Sequence, residues 1–137
     1  MISISVAKEA FPEIGGVSNP AVLCNGEEAF VCYKVSHREG RGNALLKFSD
    51  VIDFRLTPLN TERLDSFRYL ISPWQFNEVF GGDQVARWKA FDPRFWLISF
   101  NDVVIEILFG TVCMILRDEE NFSPQKTLLS ALIEEQV

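Results

Sequence analysis

The sequence predicts an α+β fold: an antiparallel β-sheet, with a meander over residues 95–117, and a C-terminal helix packed on it. Three observations lead there. Apolar runs at 95–100, 103–109 and 112–117 are separated by the two-residue turns Asn101-Asp102 and Gly110-Thr111, a spacing that hairpins accept. Strict alternation runs through 51–56, where Ile52, Phe54 and Leu56 are interleaved with Asp53 and Arg55. Near the end, Ser123 can cap a helix that starts on Pro124 and carries Leu128, Leu129, Leu132 and Ile133 as one stripe.

The remaining elements follow in order. Ile2, Ile4 and Val6 alternate with Ser3 and Ser5 as a short strand. Residues 12–27 are rich in Pro, Gly and Asn and read as loops and turns around a short element at 21–24. A strand at 29–35 is followed by the polar, glycine-punctuated loop 37–43 and a return strand at 44–48. Over 58–73, Asn60 or Thr61 can cap a short helix with Leu64, Phe67 and Leu70 or Ile71 inward. Residues 74–80 read as another strand closed by Gly81-Gly82, and Asp83 opens a short helix that ends before Pro93. Both faces of the 95–117 strands are apolar, so a helix or second sheet must cover at least one of them.

A chain of 137 residues fits a single globular domain over 1–137. Its twelve Phe and three Trp supply large core pieces. The net charge is −6, so a phosphate backbone meets an unfavourable average field and nucleic acid is not expected as a partner. A basic protein would be attracted. The three cysteines, Cys24, Cys32 and Cys113, show no metal-ligand spacing, and Cys32 and Cys113 read as small core residues in a reducing, cytoplasmic setting. No signal peptide and no membrane span are expected, since no basic leader and no long apolar run occur. Neither a metal nor a cofactor is called for.

Few residues point to chemistry. His37 is the one histidine and sits among glycines and arginines, where a solvated loop is the plain reading. Together His37, Arg38 and Arg41 make a candidate anion loop, because glycine lets backbone N–H groups approach an anion and arginine can fork onto it. Glu78 shares a strand face with Trp74, Phe76 and Phe80, and Glu106 shares one with Val104 and Leu108. A carboxylate on an apolar face belongs either to an ion pair, with Arg55, Arg87 or Arg94 as partner, or to a cleft shared by the two acids. Trp74, Phe76, Trp88, Phe91, Phe95 and Trp96 serve a core or an interface. Phe95 and Trp96, adjacent on a strand, point to opposite faces.

The stretch Trp74-x-Phe76-x-Glu78-Val79, followed by Phe95-Trp-Leu-Ile-Ser-Phe100-x-Asp102-Val-Val-Ile105-Glu106-Ile107, resembles small uncharacterised bacterial domains, including immunity-protein-like families of toxin systems. The resemblance implies a binding role and assigns no functional residue. Size, acidity and the lack of a catalytic constellation lead to the same expectation, a non-enzymatic protein-binding module that masks a more basic partner. The candidate cleft or interface comprises Trp74, Phe76, Glu78, Trp88, Trp96, Asp102 and Glu106. The alternative is a small-molecule binder or enzyme using a carboxylate in an aromatic-lined cleft. A third is a homodimer formed through the terminal helix or a sheet edge.

Overall fold

A computed structural model describes residues 2–16 and 18–135. Its strands are β1 (Ser3–Val6), β2 (Ala21–Cys24), β3 (Glu28–Lys34), β4 (Asn43–Ser49), β5 (Asp53–Pro58), β6 (Phe76–Phe80), β7 (Arg94–Ser99), β8 (Val103–Phe109) and β9 (Thr111–Asp118). A short helix α1 (Asp83–Arg87) and the C-terminal α2 (Pro124–Glu135) complete the regular elements. The strands form two antiparallel sheets, β1-β6-β7-β8-β5 and β2-β3-β4-β9, packed face to face. The α+β class, the antiparallel pairing and the helix packed on a sheet are all present.

Alternation decides what lies between the sheets. Ala29, Val31 and Tyr33 of β3 and Ala44, Leu46 and Phe48 of β4 meet Phe76 of β6, Trp96 and Ile98 of β7, and Ile105, Ile107 and Phe109 of β8. Side chains two apart on a strand share a face, so each strand contributes every second residue. Trp96 is fully buried, and its ring meets Phe48 at 5.7 Å and Phe109 at 5.3 Å, both edge-on. Such T-shaped pairs place positive ring edges against negative ring faces and fill space without voids. The interior is therefore solid.

The outer faces are covered separately. Leu128, Ala131 and Leu132 of α2 pack on Ala21, Phe30, Cys32 and Leu45. The predicted four-leucine-type stripe is split: Leu129 and Ile133 point to solvent, at 60% and 77% exposure. The cap is as expected, with Ser123 Oγ accepting from the Lys126 N–H at 3.2 Å. On the other sheet, Val79, Phe95, Leu97 and Leu108 are covered by Phe67, Tyr69 and Ile71 of the 58–73 segment and by Val85 of α1. That segment forms a 3-10 turn (Thr61–Ser66), with Asn60 Oδ1 accepting from the Glu62 N–H at 2.9 Å.

Three expectations are corrected. The meander over 95–117 stops after β8: β9 leaves for the other sheet and pairs with β4, while β5 takes the free edge of β8. The cause is at Gly110, where an added Cβ would lie 2.9 Å from Cβ of Asp50, and where the N–H donates to the Ser49 carbonyl at 3.0 Å. The chain there crosses the corner of the sandwich instead of folding back. Second, Trp74 is not in a strand; it occupies a turn at φ 48°. Buried Asn77 holds that turn, its Oδ1 accepting from the Ser72 N–H at 3.0 Å and its Nδ2 donating to the Leu97 carbonyl at 3.1 Å. Third, Cys113 faces outward and is exposed; only Cys32 is a core cysteine, its thiol pushed up to about 12 by burial.

Candidate functional site

The two strand carboxylates are the natural starting point. Glu78 pairs across the ladder with Trp96, and Glu106 pairs with Leu97. Trp96 and Leu97 are neighbours on β7 and point to opposite faces, so Glu78 lies on the inter-sheet side and Glu106 on the outer side. The sheet itself separates them, and a cleft shared by Glu78 and Glu106 does not exist.

Each carboxylate is held by an arginine. Arg94 donates from Nε to Glu78 Oε2 at 2.9 Å and from Nη2 to Glu78 Oε1 at 2.6 Å. The same guanidinium donates to both oxygens of Glu9, at 2.6 and 2.9 Å. It also lies 5.4 Å from the Trp96 ring and 5.6 Å from the Phe109 ring, where the negative ring faces favour a cation. The hydrogen bonds from Arg94 hold the Glu9 carboxyl below the usual range and raise Arg94 in turn. Arg94 was foreseen as a partner; Glu9, in the loop after β1, carried no signal. Glu106 is gripped by both terminal nitrogens of Arg68, whose guanidinium sits 4.9 Å from the Tyr69 ring. Arg55 pairs instead with Asp53 at 3.3 Å, and Arg87 forms no ion pair among the described residues.

Asp102 is a clasp between loops. Its carboxylate accepts from Asn19 at 3.0 Å, Asn60 at 2.8 Å and Asn101 at 3.3 Å, and these bonds lower its pKa. Its own N–H donates to Asn19 Oδ1 at 2.8 Å, which ties the 18–20 segment to the β7–β8 turn. It forms no ion pair with Arg68 or Arg94 among the described residues.

The aromatic candidates divide cleanly. Phe76 and Trp96 are core residues and unavailable to a ligand. Trp88 is at the surface, 6.0 Å from the ring of Phe91, which is 68% exposed. Phe91 and Pro93 line a cleft of about 310 Å³ with Asp50 and Gly110. Pro93 and Gly110 also line the adjoining cleft of about 530 Å³, beside Val6, Phe80 and Glu78. Val6 and Phe80 are 56% and 51% exposed; Val6 pairs with Asn77 and Phe80 with Ser3, so the two flank the β1–β6 edge from opposite faces. The sequence named Trp88 and Phe91 and put Phe80 on the face of Glu78; that Phe80 is left open was hidden, because alternation does not say how far a strand end is covered.

At the far end, Trp74 stands beside the His37–Asn43 loop. His37, Arg41 and Trp74 line one cleft of about 400 Å³, whereas Arg38 points away toward Glu13 at 3.8 Å. Two groups that the sequence nominated separately are thus adjacent. Among the described residues no cluster of His, Cys, Asp and Glu suits a metal ion, and no helix is long and apolar enough to cross a membrane. Compared with known proteins, the chain matches no family model, no curated protein and no solved structure.

Proposed function

We propose that the chain is a protein-binding module that acts without chemistry, and that masking a more basic partner, as immunity proteins do, is its concrete role. The observation that carries this reading is exposed Phe80 beside the adjoining cleft of Phe91 and Pro93, with Trp88 against Phe91. Large aromatics left in water at one end of a well-filled fold are costly to leave uncovered, and such residues dominate binding energy at interfaces. Asp50 and Asp92 border the same surface, and the net charge of −6 favours approach of a basic protein.

A second reading, an acid/base site in an aromatic cleft, has one observation in its favour: Glu78 lines the cleft beside Phe80. Both oxygens of that carboxylate already accept from Arg94, which fixes it as an ion-pair partner and leaves it poorly placed to move a proton. The solid interior offers no other room for a substrate.

The test uses surface variants in capture from the native lysate. Phe91→Ala and Phe80→Ala are expected to keep the fold and to weaken partner retention by about tenfold or more each, as interface anchors do. Leu129→Ala, on the exposed side of α2, is the control and should retain the partner fully. Equal retention by all three variants would place the interface elsewhere and defeat this reading.

A further inference from the structure

We infer that the cleft between Trp74 and the His37–Asn43 loop is a binding site for a small planar anion, with its ring on the indole and its anionic group on Arg41 and His37. The lining carries Lys34, His37 and Arg41 and no carboxylate among the described residues, in a chain whose net charge is −6. A local basic lining in an acidic protein is the reverse of what a random surface would give. The volume of about 400 Å³ lies in the range of small-molecule sites.

The walls are built and held. Gly15 donates its N–H to the Lys34 carbonyl at 2.8 Å, which presses the 14–16 segment onto β3. Gly16 then lies against the Trp74 indole, where a Cβ would make an ordinary contact, 3.4 Å from Cε2. Trp74 keeps 38% exposure and is held in its turn at φ 48°, a left-handed conformation uncommon for a non-glycine residue. Opposite, Arg117 Nη1 donates to the Arg41 carbonyl at 2.7 Å. Gly42, at φ 90°, passes so near Asp118 that a Cβ would fall 1.8 Å from its carbonyl oxygen. The loop backbone is therefore fixed, while the Arg41 guanidinium forms no ion pair among the described residues. Lys34 is partly used, its Nζ donating to Asn121 Oδ1 at 3.2 Å and to the Phe122 carbonyl at 3.0 Å. Arg41 and His37 are the donors left for an anion. An aromatic platform beside a guanidinium suits a ring that bears phosphate or carboxylate.

The experiment is a titration of the isotope-labelled full chain, read by amide and indole NMR. The probes are AMP and indole-3-acetate, with adenosine and inorganic phosphate as half-ligands. The expected result is a saturable shift of the Trp74 indole and the Gly16 and Gly42 amides with at least one anionic ring. Each half-ligand should bind about tenfold more weakly or worse. Arg41→Ala, and independently His37→Ala, should weaken the anionic ring by about tenfold with the rest of the spectrum unchanged. The tighter of AMP and indole-3-acetate then separates a phosphate from a carboxylate ligand. No shift with either anionic ring, equal binding of inorganic phosphate alone, or unchanged affinity in both variants would overturn the proposal.

Discussion

Arg94→Ala should destabilise the fold by about 3–5 kcal/mol, because it strands two carboxylates that one guanidinium now neutralises. Glu78 is only 7% exposed at its side chain and Glu9 20%, so water replaces little of what Arg94 supplies. The variant also loses the contact of the guanidinium with Trp96 and Phe109. The other strand-face arginine, Arg68, neutralises one carboxylate and is itself half exposed. Arg68→Ala should accordingly cost less. The effect depends on pH in a defined direction. In the intact protein Glu9 is held below its ordinary value of 4.5, so the folded chain binds fewer protons there than the unfolded chain. Its contribution is present above pH 4.5 and is lost as the pH falls through the lowered folded value. In the variant Glu9 has no guanidinium to hold its pKa down, and this contribution is absent at every pH. The stability gap between the two proteins should therefore hold from pH 7 down to 4.5 and narrow as the pH falls below 4.5, as chemical denaturation at each pH would measure. A gap that is constant over this range would mean that Arg94 acts through packing alone.

Trp96→Ala should cost about as much, 3–5 kcal/mol, by opening a cavity where both sheets meet. The indole is enclosed by Phe11, Phe48, Phe76 and Phe109, with ring centroids 5.3–6.2 Å away. These rings are anchored on different strands and loops and cannot all move inward together. Trp96→Phe is expected to be much milder, about 1–2 kcal/mol, since the indole N–H finds no acceptor among the described residues and a ring is retained. Trp88→Ala, at the surface, should shift stability by about 0.5 kcal/mol or less. Because Arg94 rests on Trp96, the double variant should be less destabilised than the sum of its parts. Thermal or urea unfolding of these four variants, beside Arg94→Ala and the intact protein, checks the whole ranking.

Much of this fold can be read from local pattern, and its failures have a common cause. Ser123-Pro124 marks the start of α2 because capping is a local interaction, and the 95–109 hairpin is visible because alternation and a two-residue turn are local too. The destination of β9 is not local. Gly110-Thr111 announces a change of direction, but which sheet edge receives the next strand depends on β4 and β5, more than fifty residues upstream. The relation of Glu78 to Glu106 likewise needs register: each sits on an apolar face, and only their pairing with adjacent residues of β7 shows that the faces are opposite. Glu9 and Arg68 lie in loops, where no periodicity marks a residue as a partner. The meeting of Trp74 with His37 and Arg41 depends on Gly15 and Gly16 bridging β3 to a turn near residue 74, a contact between segments that sequence spacing leaves unrelated.

The most direct test of the binding-module account is affinity capture of the tagged full chain from its native lysate at low and at moderate salt, read by mass spectrometry. The expected result is one stoichiometric protein, more basic than the chain, retained at low salt and weakened at moderate salt, because steering by the net charge of −6 is screened over about 8–10 Å. A well-folded protein that captures nothing at either salt concentration would contradict it.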